Sequence, residues 1–138
     1  MNPAYAPAYA RVFAALHAQA FPHEPWDEAS FATMLAQPNM HGFLDEHGGF
    51  LLLRIVLDEA AIITNGVTTP RQGIATALMA QGIAACRAAG VKTIHLEVAE
   101  DNVPARALYT AQNFIQTGRR RAYYANGAAA LTLALDLG

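Results

Sequence analysis

The sequence predicts an α/β fold. Three observations carry that expectation. Apolar residues recur at helical spacing in several stretches. Between those stretches stand runs with the two-residue alternation, or the continuous apolar character, of strands. A glycine-containing turn, Arg71-Gln72-Gly73-Ile74-Ala75-Thr76, joins a strand-like segment ending near Val67 to a helix-like run from Ile74 to Ala89. The chain is organised around that turn. Glycine there lets backbone N–H groups point outward, and the helix start adds unpaired donors and the positive end of its dipole. This suits a phosphate or pyrophosphate, with Arg71 adding charge. On those six residues alone, a plain loop-to-helix turn with a surface arginine is the stronger reading.

The 138 residues suffice for one core and one domain. Hydrophobic content is 54% and charged content 14%, which is globular and not disordered, although alanine inflates the apolar share. A net charge of −2 argues against nucleic acid as a partner. So low a charge leaves room for an apolar contact face, and a monomer or a homodimer is expected. One cysteine, Cys86, cannot form an internal disulfide, which fits a reducing compartment. No apolar run reaches transmembrane length and no signal sequence is visible, so a cytoplasmic protein without a membrane partner is expected. The histidines His17, His23, His41, His47 and His95 make no i,i+4 pair with a carboxylate, and no metal site is expected.

Taken in order, Tyr9, Val12, Phe13 and Leu16 form the stripe of a first helix, with Pro7 before it and Pro22 beyond it. Asp27 is the expected N-cap of a second helix that carries Phe31, Met34 and Leu35 and stops at Pro38. Trp26, in the apolar connector between them, is either a core staple or a wall of a substrate cleft. Gly42 to Asp45 reads as a short strand, Glu46 to Gly49 as a hairpin turn, and Phe50 to Leu57 as a strand buried on both faces. Ala60 to Thr68 is the next strand. Its Asn65-Gly66 pair marks either a bulge that splays the strand from its neighbour or a hairpin turn.

The helix from Ile74 places Ala75, Met79, Ile83 and Cys86 on one face, which makes Cys86 a core residue, and Gly90 fits the left-handed position past its end. In Lys92 to Val98, residues Ile94, Leu96 and Val98 alternate with Thr93, His95 and Glu97. A carboxylate in mid-strand faces either solvent or a cleft that uses it. Asp101-Asn102 and Pro104 start a helix with Leu108 and Tyr109, ending near Asn113, which tolerates the left-handed region. Phe114 to Tyr124 and Leu131 to Leu137 read as two last strands joined through Asn126-Gly127.

This order resembles the GCN5-related N-acetyltransferase (GNAT) family. Leu96-Glu97-Val98 followed by Asn102, Ala107-Leu108-Tyr109 and Phe114 is a specific string within it. So is Arg119-Arg120-Arg121-Ala122-Tyr123-Tyr124. Ala20-Phe21-Pro22, Pro25-Trp26 and Val56-Leu57-Asp58-Glu59-Ala60 extend the likeness to the RimI-type members, which acetylate the N-terminal alanine of a ribosomal protein. The resemblance spans nearly the whole chain. It implies a GNAT fold: a mixed, mostly antiparallel sheet splayed at a central strand, with helices on both faces, in one domain over 1–138.

The resemblance also implies acetyl transfer from acetyl-CoA to a primary amine, foremost a protein N-terminus. Arg71, Gln72, Gly73, Ile74, Ala75 and Thr76 would hold the pyrophosphate. Val67 and Thr68 would pair with the pantetheine arm, an N–H near Val67 would polarise the acetyl carbonyl, and Asn102 would touch the arm. Glu97 would be the general base, through a water, and Tyr109 the acid that protonates the departing thiolate. An α-amino group with pKa near 8 needs only a modest shift. Trp26, Arg121 and Tyr124 would contact the acceptor. Outside the family context, Tyr109 reads as a core tyrosine, and Glu97 as a partner of Arg119 or Arg121.

The chain departs from the family pattern in four places. Pro70 stands where the turn has a donor-bearing residue, in a loop about two residues short. Asn65 occupies a position usually apolar. The family's first strand is nearly missing, and the last hairpin lacks acidic residues. The rival readings are the same chemistry on a small amine or amino acid, and a catalytically weak acyl-CoA-binding module.

Overall fold

The computed structural model describes residues 9–68, 73–124 and 126–138. Arg71 and Gln72 of the expected phosphate turn lie outside them. Ten elements follow in order: α1 (Ala10–Ala20), α2 (Glu28–Leu35), β1 (Met40–Asp45), β2 (Gly49–Val56), β3 (Glu59–Val67), α3 (Ile74–Ala88), β4 (Thr93–Ala99), α4 (Val103–Ala111), β5 (Ile115–Arg120) and β6 (Ala130–Asp136). The strands form one sheet in the order β1-β2-β3-β4-β6-β5. Every neighbouring pair is antiparallel except β3 and β4.

Local signals set the helix ends. Asp27 caps α2 by accepting from Ser30 N–H at 2.8 Å, and Asn102 caps α4 by accepting from Ala105 N–H at 3.3 Å. Gly90 and Asn113 take the left-handed conformation after α3 and α4 (φ 81° and 73°). The β1–β2 turn is pressed into place from two sides. A Cβ on Gly49 would lie 2.5 Å from Ile74 Cγ2 and 2.7 Å from Leu78 Cδ1, so only glycine lets α3 sit this close to β2.

Each sheet face carries a core. Leu51, Leu53, Ile94, Leu96, Val98 and Leu131 pack with Met79 and Cys86 of α3 and Tyr109 of α4. On the other face Phe50, Leu52 and Met40 pack with Phe13 of α1 and with Phe31 and Leu35 of α2. Fully burying one such side chain is worth roughly 1.5–3 kcal/mol.

Three expectations need correction. The buried stripe of α1 is Ala10, Phe13 and His17, while Tyr9 and Val12 are exposed. The true stripe includes a histidine, which a count of apolar types passes over. There is no turn at Asn65-Gly66, since β3 runs on through Val67. The bulge lies at Ile63, where the register steps from Leu53↔Ile62 to Leu52↔Thr64. Gly66 serves close packing instead: a Cβ there would come to 3.0 Å from both Ala20 Cβ and the Phe50 ring. β5 is shorter than expected, ending at Arg120, while β6 has the expected length one residue earlier, and the connection between them turns at Gly127 (φ 86°).

Candidate active site

The site begins where the sheet comes apart. β3 and β4 pair only at Glu59↔Thr93, Ala60↔Ile94 and Ala61↔His95. Beyond that point, among the described residues, β3 has no paired strand on its β4 side. Where the pairing ends, a hollow of about 270 Å³ is lined by Ala61, Ile62, His95, Leu96, Glu97, Thr132 and Leu133.

The Ile63 bulge decides what β3 presents there. Cross-strand partners share a face. Ile62 pairs with Leu53 and so faces α3 and α4, whereas after the bulge it is Asn65, paired with Leu51, that faces them. The backbone alternates as well. Thr68 donates its N–H to Gly48 O at 2.8 Å, in the register that pairs Gly49 with Val67. Hydrogen-bonded and open residues alternate along an antiparallel ladder. The N–H and C=O of Val67 therefore turn away from β2, toward the side that β4 has left, while the N–H of Thr68 is spent on Gly48.

Glu97 opens onto one face of this gap. Leu96 and Val98 are buried against α3 and α4, so Glu97 and His95 project from the opposite face and are exposed. His95 Nε2 lies 3.0 Å from Glu59 Oε1. Tyr124 sits near Glu97: burial, and then the Glu97 carboxylate, push its phenol above the ordinary range. Arg119 does not pair with Glu97. It grips Glu100 with two bonds of 2.6 and 3.0 Å, which lowers the Glu100 carboxyl and raises the Arg119 guanidinium. Arg121 lines a different hollow, of about 630 Å³, beside that pair. Trp26 stacks on His17 at 4.8 Å and belongs to the α1–α2 cluster.

Tyr109 approaches from the other face. It is 5% exposed, lies edge-on to Phe114 at 5.8 Å, and donates its hydroxyl to Asn65 Oδ1 at 2.9 Å. Burial pushes its phenol up and the Asn65 bond opposes that shift. Glu97 and Tyr109 thus flank the break in the sheet from opposite sides. Asn65 is the residue that sequence reasoning noticed without assigning a task. Its one signal was an amide in an apolar strand.

α3 starts from Gly73, which is left-handed (φ 73°) and caps no N–H with a side chain. Among the described residues, a Cβ there would meet nothing within 4 Å. The N–H groups of the first turn, at Ile74, Ala75 and Thr76, lack partners within the helix by construction. Ile74 is buried and anchors the turn, while Thr76 is exposed. Among the described residues no group of three histidines, cysteines or carboxylates could hold a metal ion, and no helix is long and apolar enough to cross a membrane.

Residues 10–114 match the acetyltransferase (GNAT) family. The chain belongs to the acetyltransferase (GNAT) family. It is an N-acetyltransferase, and acetyl-CoA is its co-substrate. Among its relatives, the ribosomal protein bS18-alanine N-acetyltransferase of Escherichia coli strain K12 is 34% identical over 117 residues, covering 80% of this chain and 79% of the relative. The N-alpha-acetyltransferase RimI of Mycobacterium tuberculosis is 36% identical over 137 residues, covering 91% and 85%. The crystal structure of the E. coli ribosomal-protein-S18-alanine N-acetyltransferase superposes with a TM-score of 0.86 at 28% identity, covering 95% of this chain and 89% of that one. The acetyltransferase fold of this chain is thus a RimI-type GNAT fold, with α1 and α2 on one sheet face and α3 and α4 on the other.

Proposed function

We propose that this acetyltransferase modifies the α-amino group of a protein N-terminus, with alanine as first residue, by direct transfer within one domain over 1–138. The observation that carries the reading is the break between β3 and β4, with Glu97 on one sheet face and Tyr109 on the other. A base and an acid at opposite mouths of one opening suit a reaction in which amine and thiol approach from opposite sides. The names of the relatives, which act on ribosomal-protein alanine, favour the acceptor.

Acetyl-CoA supplies an activated thioester. The residues present fit it: the uncapped α3 start from Gly73 to Thr76 offers donors for the pyrophosphate, with Arg71 and Gln72 assigned beside it. The open edge of β3 at Val67 offers a ladder for the arm, with Thr68 next in the chain. Asn102 caps α4 next to this path. Glu97 takes a proton from the ammonium through water. The Val67 N–H faces the carbonyl oxygen as charge develops, and Tyr109 gives its proton to the departing sulfur. Proximity of the two substrates replaces a covalent enzyme intermediate.

On the acceptor side, Tyr124 feels the Glu97 carboxylate, Trp26 braces the α1–α2 connection, and Arg121 follows β5. Glu97, Tyr109 and the α3 turn come from one chain, so monomer and homodimer carry the same chemistry. A lone buried thiol fits the cytoplasm.

The test offers the enzyme acetyl-CoA with an alanine-starting peptide, the same peptide blocked at its N-terminus, and free lysine or a polyamine. Mass spectrometry should find one acetyl group, on the α-amine of the first peptide alone. Transfer to the small amines and not to the peptide would overturn the acceptor assignment.

A further inference from the structure

Asn65 is an amide on the apolar face of β3. Its strand partner is Leu51, Val67 flanks it on the same face, and Leu51 is fully buried. An apolar side chain would pack there without any need for a partner, whereas an amide must be satisfied. The hydroxyl that satisfies it comes from Tyr109, 44 residues away. The two meet only because of the Ile63 bulge. Without the extra residue, Asn65 would face α1, and Thr64 and Gly66 would take its place before α4.

We propose that Asn65 is a positioning residue for acetyl transfer: it holds the Tyr109 hydroxyl beside the break in the sheet, then donates to the phenolate once the proton has left. The inference rests on the reading of Tyr109 as the acid. A carboxamide can do both, since its oxygen accepts and its nitrogen carries two donors. Half a turn of the amide about its own bond exchanges them. As the C–S bond breaks and its electron pair goes to sulfur, Tyr109 gives sulfur a proton. The phenolate then regains one from water. The substrate ammonium loses two protons in becoming an amide, so one replaces that on Tyr109 and the other is released. Between those moments the phenolate is a buried anion among Leu96, Val98 and Phe114. Burial opposes that charge, and the amide NH2, turned toward the phenolate from a side chain whose oxygen lies 2.9 Å from the hydroxyl, offsets part of the cost.

The experiment is a double-mutant cycle on the full chain, using acetyl-CoA and an alanine-starting peptide. Asn65→Leu should lower kcat roughly 10- to 100-fold, the loss of one hydrogen bond to a charged group, with both KM values within about two-fold of wild type. In the Tyr109→Phe background, Asn65→Leu should cost nothing further, because its effect runs through that hydroxyl. Asn65→Asp keeps the shape and still accepts from Tyr109, but it cannot donate and its charge opposes the phenolate. Its kcat should fall at least as far as that of Asn65→Leu. Melting temperature and acetyl-CoA titration on each variant separate unfolding from lost chemistry, and the isosteric Asp variant carries the test if the Leu variant does not fold. Wild-type kcat in either folded Asn65 variant, or an equal further loss in the Tyr109→Phe background, overturns the role of Asn65 alone. If Tyr109→Phe itself keeps wild-type kcat, the acid assignment fails, and Asn65 falls with it.

Discussion

His17 shows what one buried polar residue does to the pH range of this fold. It is 3% exposed, ringed by Phe21, Trp26, Phe31 and Phe50 at centroid distances of 4.6 to 5.8 Å. Its Nδ1 accepts the Trp26 backbone N–H at 3.1 Å, which assigns the neutral tautomer with hydrogen on Nε2. Burial lowers its pKa below the ordinary 6.5. Above that value both folded and unfolded states are neutral, and His17 adds no pH dependence. Below it the unfolded chain takes up a proton that the folded chain refuses, so stability falls as pH drops from 6.5 toward the folded value. The melting temperature should therefore be lower at about pH 5.5 than at about pH 7.5, and His17→Phe should shrink the difference. His41 is lowered by burial in the same way, so some slope remains. Cys86 gives a second check at this scale. It is fully buried, with its thiol pushed up to about 11. A thiol reagent should leave the native enzyme unlabelled and active, and label it only on unfolding; inactivation of the folded enzyme by such a reagent would contradict direct transfer.

Among the elements, the N-terminus of α3 and its seat on β2 can be tested apart. At Gly73 an added Cβ meets no atom of the described residues within 4 Å, but the residue must adopt φ 73°. Gly73→Val should cost about 1–2 kcal/mol in stability from backbone strain and weaken acetyl-CoA binding in titration calorimetry; unchanged binding would remove the turn from the site. Gly49→Ala drives a methyl into Ile74 and Leu78. It should cost about 1–3 kcal/mol by overpacking, read as a lower melting temperature. Element ends were legible in the sequence wherever the cause is local. Asp27 and Asn102 cap through their own side chains, and Gly90 and Asn113 take up positive φ on their own. What depends on a partner was not legible. Asn65-Gly66 is a strong turn pair in isolation, yet contact of Gly66 with Ala20 and Phe50 holds it inside a strand. The bulge sits at Ile63, a residue with no bulge signal, because register is a property of two strands together.

The molecule as a whole is a sheet with two packed faces and one place where they communicate. Glu97 was legible because strand alternation sets it opposite Leu96 and Val98. The part proposed for Tyr109 comes only from the family string; the residue itself sits in the core, as a tyrosine in an apolar helix reads. Its contact with Asn65 was not legible, as nothing local links residues 44 positions apart. That Arg119 serves Glu100 and leaves Glu97 free of it is likewise a fact of the assembled sheet. The central claim is that the break between β3 and β4 carries acetyl transfer with Glu97 as base at its acceptor mouth. The most direct measurement is the steady-state rate of acetylation of an alanine-starting peptide by Glu97→Gln, beside its affinity for acetyl-CoA. The account predicts a fall in kcat of about 10²- to 10³-fold with the acetyl-CoA dissociation constant unchanged. Wild-type kcat in this variant would contradict it.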